Sequence, residues 1–220
     1  SHMPQSGYDY VKARMLIDGK LEKIQINYRG DFLYHWGYDK KSVRVRTTRQ
    51  DLYKGLRSFN LQAPKRDQQL NTYLSLQLAE RMGLLGPKTG LVRLFINGKD
   101  KGIRVFVEQL DESTLRIAQL MPGDIYRGEL VGKDKFSGIG PIKLFHSSSV
   151  WDKMATNNHY DLESMAPLDQ LLDLIRQRES PDAQAKLSTV LDMEAWGRFS
   201  VFEALAHTKH YSKSHNWRLY

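Results

Sequence analysis

The residues best suited to phosphate chemistry lie near the N-terminus, where Arg29 and Gly30 precede residues 36–42, a stretch that contains Lys41. A glycine after a strand lets the backbone approach a ligand closely, and a lysine that enters the next strand can reach a phosphate group. The spacing matches neither a Walker A loop nor the GxGxxG pattern. The stretch is therefore a phosphate site served by Lys41, or a strand start with solvated lysines.

Two carboxylates, Glu108 and Asp111, flank a short connector after a predicted strand. Carboxylates in such a place can bind a ribose or a metal ion, or they can cap the helix that follows. Asp111 lies directly before Glu112 at a predicted helix start, which favours a helix cap. Glu108 has no comparable structural role in the sequence, which makes it the stronger binding candidate.

Three histidines, His207, His210 and His215, lie near the C-terminus. Neutral imidazoles at such spacing can share a helical face and bind a metal ion. No nearby carboxylate or cysteine completes a tetrahedral set, which favours a basic surface segment instead. The sequence also lacks a nucleophile elbow, a zincin helix and a catalytic-triad pattern.

The composition is that of a folded protein with a basic surface. Hydrophobic residues make up 40% of the 220 residues, and the formal net charge is +8. Such a charge favours anionic partners. The basic residues do not form a continuous block, and no RNP-like aromatic stripe lies beside them, so a nucleic-acid partner is not expected. The absence of cysteine excludes disulfides, and no apolar run reaches the roughly 20 residues that span a bilayer. Residues 1–3 resemble a tag remnant and are left out of the fold prediction.

The apolar pattern of the N-terminal half predicts strands and one long helix. Asp18-Gly19 and Asn97-Gly98 are strong turn signals, and each predicts a hairpin between alternating segments. Residues 42–46 alternate Val43 and Val45 with arginines, which predicts a half-buried strand with a basic outer face. Residues 67–82 have helical periodicity, with Asp67 as the cap and Gly83 as the end.

The C-terminal half is predicted to be mostly helical. Residues 111–120 form a short helical candidate, residues 125–126 a short strand and residues 131–150 a loop. Pro167 and Asp192 open two further helices, and Trp196 and Phe199 at helical spacing are predicted core residues. Because strands and helices are segregated along the chain, the fold class predicted is α+β.

Taken in order, several motifs resemble the spore coat protein H (CotH) kinase family of atypical kinases. The resemblance begins at Tyr28-Arg29-Gly30 and continues through residues 40–44, which look like the family's Arg-Gly and Lys-Ser-Tyr-Arg elements. Its clearest part is residues 92–111, which resemble the family's strand, Asn-Gly turn, strand and Glu-Gln-x-Asp sequence. Further matches lie at residues 56–61, 124–127, 191–192 and 216–220.

The resemblance implies a protein-kinase-like fold with two lobes, a strand-rich N-lobe at residues 4–110 and a partial C-lobe at residues 111–220. It implies ATP as cofactor, Mg²⁺ or a similar ion, and a protein substrate that carries Ser or Thr. Lys41 would pair with the nucleotide phosphates, Glu80 or Gln77 would orient it, and residues 108–110 would lie beside the adenine. The cofactor-binding candidates are Arg29, Lys41, Glu80, Glu108, Leu110 and Asp111.

Two positions depart from the family pattern. His210 lies where the family has a candidate catalytic aspartate; a histidine can act as a general base but does not ligate Mg²⁺ as a carboxylate does. Asn216 is the second catalytic candidate and the candidate metal ligand. The family's Asp-Leu-Asp metal-binding segment lies beyond the terminal strand, and this sequence ends at Tyr220. Little phosphotransfer is therefore expected from these residues alone.

Three classes of function remain open on the sequence. They are a CotH-like kinase domain, a non-catalytic pseudokinase or interaction module, and a binder of anionic polymers that uses the +8 charge. The family resemblance implies a spore coat, envelope or other extracellular location, and it leaves a cytoplasmic one open.

Overall fold

The two predicted hairpins are present, and they form opposite edges of one antiparallel sheet. The structure is a computed structural model. It describes residues 9–29, 39–48, 52–64, 70–128, 143–155, 164–207 and 217–220. The chain divides into two compact units, Ser1–Ile117 (the first unit) and Ala118–Tyr220 (the second unit). The predicted lobes at residues 4–110 and 111–220 remain a prediction.

The sheet of the first unit has six strands in the order β1-β2-β3-β4-β6-β5. Their bounds are β1 Val11–Ile17, β2 Lys20–Tyr28, β3 Val43–Thr47, β4 Ser58–Gln62, β5 Thr89–Ile96 and β6 Lys99–Glu108. Asp18 and Asn97 both have a φ of 50°, and the glycines that follow them also have positive φ. Two consecutive positive φ angles are typical of the type I′ turn that joins hairpin strands, which explains why both turns could be predicted.

One face of this sheet carries the apolar core of the first unit. Val43 and Val45 are buried, and Arg44 between them lies on the opposite face, as the predicted alternation requires. The buried members of the apolar cluster are Ile24, Val43, Val45, Phe59 and Leu61. Full burial of such side chains contributes about 1.5–3 kcal/mol each. Each strand therefore has a core-facing side and a side that is available for polar residues.

Two helices complete the first unit: α1 at Asn71–Arg81, which contacts β5, and α2 at Glu112–Ile117. The predicted cap Asp67 lies outside the described residues, whereas Gly83 does follow the helix, with a φ of 70°. The apolar stripe predicted for α1 does not coincide with its buried side. Leu74 is 59% exposed, and the buried residue of the helix is Ala79.

The second unit is built on a three-stranded antiparallel sheet with β7 in the centre. Its elements are β7 Ile125–Gly128, β8 Trp151–Ala155, β9 Trp217–Leu219, α3 Ala166–Arg176, α4 Pro181–Val190 and α5 Met193–Ala206. Two short 3-10 turns, Leu144–His146 and Ser148–Val150, precede β8. The buried cluster of this unit comprises Tyr126, Leu144, Trp151, Leu168 and Leu172.

Both helix starts predicted in the second unit are confirmed. Pro167 lies in the first turn of α3, and the Asp192 carboxylate accepts a hydrogen bond of 2.9 Å from the Ala195 backbone N–H. The sequence did not predict α4 or β8. Ala183 is the one buried residue of α4, so its pattern has no apolar stripe. Residues 131–142 of the predicted loop lie outside the described residues.

The fold class is α+β, as predicted, with antiparallel sheets and segregated helices. In the described ranges, no helix is long and apolar enough to cross a bilayer. Trp196 and Phe199, the predicted core residues of α5, are half-buried and pack against Trp217 of β9. The α5 aromatic residues therefore help to hold the terminal strand in place.

Candidate functional site

The sheet of the first unit has a polar face opposite its apolar core, and the polar residues on that face form a line. Asn27 of β2 is the direct cross-strand partner of Arg44, and Arg44 is in turn the partner of Asn60 on β4. Gln109, directly after β6, joins the line through its side chain. We call Asn27, Arg44, Asn60 and Gln109 the polar row. It crosses three neighbouring strands and ends at the connector.

Hydrogen bonds link three members of the polar row. The Arg44 Nε–H donates to Asn60 Oδ1 at 3.0 Å, and the Asn60 Nδ2–H donates to Gln109 Oε1 at 3.3 Å. Asn60 is only 2% exposed, so both ends of its amide must be satisfied inside the protein. In the part of the chain that the structure describes, no carboxylate pairs with Arg44. The row therefore presents a positive charge on a rigid sheet face, an arrangement suited to binding an anion.

The two basic residues of the predicted phosphate site lie in different surroundings. The Arg29 N–H donates to the Ser42 carbonyl at 3.0 Å, which continues the β2–β3 pairing, and alternation places Arg29 on the same face as Asn27. The Lys41 amine lies 5.1 Å from the centre of the Tyr28 ring. Because Tyr28 is the cross-strand partner of buried Val43, this contact lies on the apolar side of the sheet.

Glu80 does not make the contact that the family resemblance implied. Its Oε1 lies 2.7 Å from the amine of Lys88, and both side chains are about half exposed. Lys41, its expected partner, lies over Tyr28 instead. An exposed ion pair of this kind contributes about 0–1 kcal/mol. The structure therefore gives Glu80 the geometry of a surface ion pair.

Glu108 is buried and holds the connector in place. Its Oε2 accepts from the Lys88 backbone N–H at 2.9 Å, and its Oε1 accepts from the Thr114 hydroxyl at 2.6 Å. The side chain is 3% exposed. The sequence had given Glu108 no structural role, but the structure shows that it joins the end of β6 to the start of β5 and to α2. Leu110, which follows in the connector, is half-buried.

Asp111 caps α2, as one of its two predicted interpretations requires. Its Oδ1 accepts from the Ser113 backbone N–H at 2.8 Å, and its own N–H donates to the Thr114 hydroxyl at 3.1 Å. This reciprocal pair satisfies two groups at the helix start, in the manner of a capping box. The Thr114 hydroxyl thus links the Glu108 carboxylate to the Asp111 backbone N–H, and the connector is held at both ends.

Glu108→Gln should destabilise the first unit, because a carboxylate that accepts two hydrogen bonds is replaced by an amide with one acceptor oxygen. We expect a loss of about 1–2 kcal/mol in the free energy of opening, since hydrogen bonds to charged groups are the stronger kind. Hydrogen exchange of the β5 and β6 amides, followed by mass spectrometry, measures this change. Glu80→Gln is the matched control and should change it by less than about 0.5 kcal/mol. Equal effects of the two substitutions would contradict the role of Glu108 in holding the connector to β5 and α2.

A second pair of cations, Lys40 and Arg104, lies on the first unit near Gly102. Arg104 is 2% exposed, and its guanidinium donates to the Ile103 carbonyl at 3.1 Å. Burial lowers the pKa of Arg104, and burial together with the charge of Arg104 lowers the pKa of Lys40. The negative charge of Asp100 partly offsets the lowering of the Arg104 pKa. The Asp100 carboxylate also accepts a hydrogen bond of 2.6 Å from Arg93. These cations strengthen the positive potential of the first unit.

The predicted catalytic residues His210 and Asn216 lie outside the described residues, as do Gly30 and residues 36–38 of the first motif. Among the residues that are described, no group of three or more His, Asp or Glu side chains could hold a metal ion. The expected Mg²⁺ remains a prediction from the family resemblance.

The sequence had given no site role to Arg44 or Asn60, and it had included Gln109 only as part of the connector at residues 108–110. The alternation of Val43, Arg44 and Val45 does show that Arg44 points away from the core. The missing information was the strand register, since Asn60 lies 16 residues from Arg44 in the chain and 49 from Gln109. Non-local pairing of this kind is not encoded in a local pattern.

The fold and the site define an α+β domain whose antiparallel sheet carries a polar face with an arginine, next to a firmly held connector. The chain belongs to the family described as CotH kinase protein, which matches residues 26–220. It is similar to the inner spore coat protein H of Bacillus subtilis (strain 168), with 31% identity over 119 residues. The match covers 54% of this chain and 32% of that relative, so the chain spans about a third of the relative's length.

Proposed function

We propose that this chain is part of a CotH-type kinase that transfers the γ-phosphoryl group of ATP to a protein, and that the chain binds the ATP on the polar face of its first unit. The family match supports this proposal, because it covers the polar row and the connector. In the reaction, the bond between the γ-phosphorus and its bridging oxygen breaks. A bond to a serine or threonine oxygen forms, the hydroxyl proton is released to solvent, and ADP is the leaving group.

The described residues would serve this reaction by positioning the nucleotide. Phosphoryl transfer needs chiefly alignment and neutralisation of charge. Arg29 and Arg44 supply positive charge on the polar face, and the connector at residues 109–110 would lie beside the adenine. Mg²⁺ is the metal expected from the family, with Asn216 as the candidate ligand to test, and His210 is the candidate general base.

Calorimetric titration with ATP, with and without Mg²⁺, tests the proposal. We expect one saturable site with a dissociation constant between about 1 µM and 1 mM, the range of ordinary enzyme substrates. Inorganic sulfate at the same ionic strength is the control for non-specific attraction to the +8 charge. Absence of saturable binding at millimolar ATP would contradict the proposal, and heat from sulfate equal to that from ATP would do so as well.

A non-catalytic interaction module is the second candidate, and the histidine at position 210 favours it, because the family has an aspartate there. Such a module would bind ATP but would not transfer phosphate from labelled ATP to hydroxyl-bearing coat proteins. The relative's name places that protein in the inner spore coat, and we propose a coat location for this chain too. Transfer to any coat protein would exclude the non-catalytic candidate.

A further inference from the structure

Arg44 is held in position by a chain of hydrogen bonds that starts at the connector. Gln109 accepts from Asn60 at 3.3 Å, and Asn60 accepts from Arg44 at 3.0 Å. The Gln109 N–H also donates to the Ser58 carbonyl of β4 at 3.2 Å, so the connector residue and Asn60 are tied to the same strand. Movement of the connector would therefore be transmitted to the guanidinium of Arg44.

Arg44 uses only part of its hydrogen-bonding capacity within the described residues. Its Nε donates to Asn60, whereas a guanidinium carries five N–H groups. Arg46, the next residue on the same face of β3, has its guanidinium 4.1 Å from the centre of the Tyr10 ring. Lys41 lies over Tyr28 on the apolar side. Arg44 is thus the cation on β3 whose surroundings best suit a ligand anion.

The distance between Arg44 and the connector suits a nucleotide. Arg44 on β3 and Gln109 after β6 are separated by β4, which corresponds to two strand spacings, or about 10 Å. This distance is comparable to the reach from the base of a nucleotide to its phosphates. A planar guanidinium also matches phosphate oxygens with two parallel N–H groups, which an ammonium group cannot do.

We propose that Arg44 binds the phosphate groups of a nucleoside triphosphate, and that Asn60 is a positioning residue that couples Arg44 to the connector through Gln109. This inference rests on the proposed function, because it names the phosphate-binding residue of the proposed ATP site. It assigns to Arg44 the role that the family resemblance had implied for Lys41. The rigid sheet, rather than the residues between β2 and β3, then fixes the position of the phosphates.

The test compares ATP with adenosine in calorimetric titrations of the wild-type chain and three alanine variants. Arg44→Ala should lower the affinity for ATP by about 10- to 100-fold, because a charge-assisted contact to phosphate is lost. Its affinity for adenosine should stay unchanged. Arg46→Ala, the matched control on the same strand and face, and Lys41→Ala should each change the ATP affinity by less than about threefold.

The positioning role of Asn60 has its own readout. Asn60→Ala removes the link between Arg44 and Gln109 at its centre, and Gln109→Ala breaks it from the connector side. Each should reduce the ATP affinity, and adding Gln109→Ala to Asn60→Ala should reduce it no further, because both remove the same link. Additive effects would overturn the coupling.

The outcomes separate this inference from the proposed function. If the wild-type chain does not bind ATP, the proposed function fails, and this inference fails with it. If the wild-type chain binds ATP and Arg44→Ala binds it equally well, only this inference is overturned. An equal loss of ATP and adenosine affinity in Arg44→Ala would also overturn it, because the effect would then be structural. Arg44→Lys, which keeps the charge but not the bond to Asn60, provides the same comparison if the alanine variant does not fold.

Discussion

Gly128→Ala should lower the free energy of unfolding of the second unit by about 3 kcal/mol, the upper part of the range for overpacked cores. A Cβ atom at position 128 would lie 2.6 Å from a methyl carbon of Leu144 and 2.8 Å from two ring atoms of Trp151. Neither neighbour can move aside easily, since Leu144 is 0% and Trp151 4% exposed. The Trp151 indole N–H also donates to the Leu144 carbonyl at 2.8 Å, which holds the two residues together.

Urea unfolding followed by tryptophan fluorescence measures this change. Of the four tryptophans, Trp151, Trp196 and Trp217 lie in the second unit, so the signal reports mainly on that unit. Gly197→Ala is the matched control, because a Cβ atom there meets no atom within 4 Å and the position lies inside α5. It should raise the stability by up to about 1 kcal/mol, the usual gain in a helix interior. A shift in the same direction for both variants would contradict the packing described at Gly128.

Local signals allowed much of the first unit to be predicted. Asp18-Gly19 and Asn97-Gly98 adopt the backbone angles that their residue types favour, and the hairpins on either side follow from these turns. The alternation at Val43, Arg44 and Val45 fixed the two sides of β3. In each case the structural feature depends on residues that are close together in the chain, so a local sequence pattern was enough to predict it.

Features that depend on distant pairing could not be predicted in the same way. The sheet of the second unit joins Gly128 to Trp151 on one side and to Trp217 on the other. No turn signal connects these strands, so β8 was missed. The same reason applies to the polar row, since Asn60 meets Arg44 and Gln109 only through the register of three strands. Candidate residues of a site can be predicted from a local pattern, but the choice among them requires the fold.

The roles of the two connector carboxylates show how the structure resolved alternatives that the sequence left open. The cap role of Asp111 was one of two predicted interpretations, and its hydrogen bonds to Ser113 and Thr114 confirm it. Glu108 was the stronger binding candidate because the sequence gave it no partner. Its partners are the Lys88 backbone and Thr114, and neither has a recognisable spacing from Glu108. A buried carboxylate without a local partner is therefore not by itself a sign of catalysis.

The second unit also contains a buried ion pair that no local pattern indicated. The Lys153 amine lies 3.0 Å from Asp124 Oδ2, and each side chain is only 6% exposed. The Tyr126 hydroxyl donates to the same carboxylate oxygen at 3.0 Å. A buried pair such as this need not be stabilising compared with apolar residues, but the loss of one partner leaves the other charge buried without compensation.

Asp124→Asn should therefore destabilise the second unit by about 3–5 kcal/mol, measured by the same tryptophan fluorescence in urea. Asp152→Asn is the matched control: it breaks the neighbouring Arg127–Asp152 pair, whose side chains are 42% and 38% exposed, and should cost about 0–1 kcal/mol. The double variant Asp124→Leu with Lys153→Met should recover most of the loss, since it removes both buried charges together.

If Asp124→Asn cost no more than Asp152→Asn, water would have to reach Lys153, and the pair would not be buried. If the double variant remained as unstable as Asp124→Asn, the hydrogen bond from Tyr126, rather than the charge of Lys153, would be the reason that the carboxylate is needed.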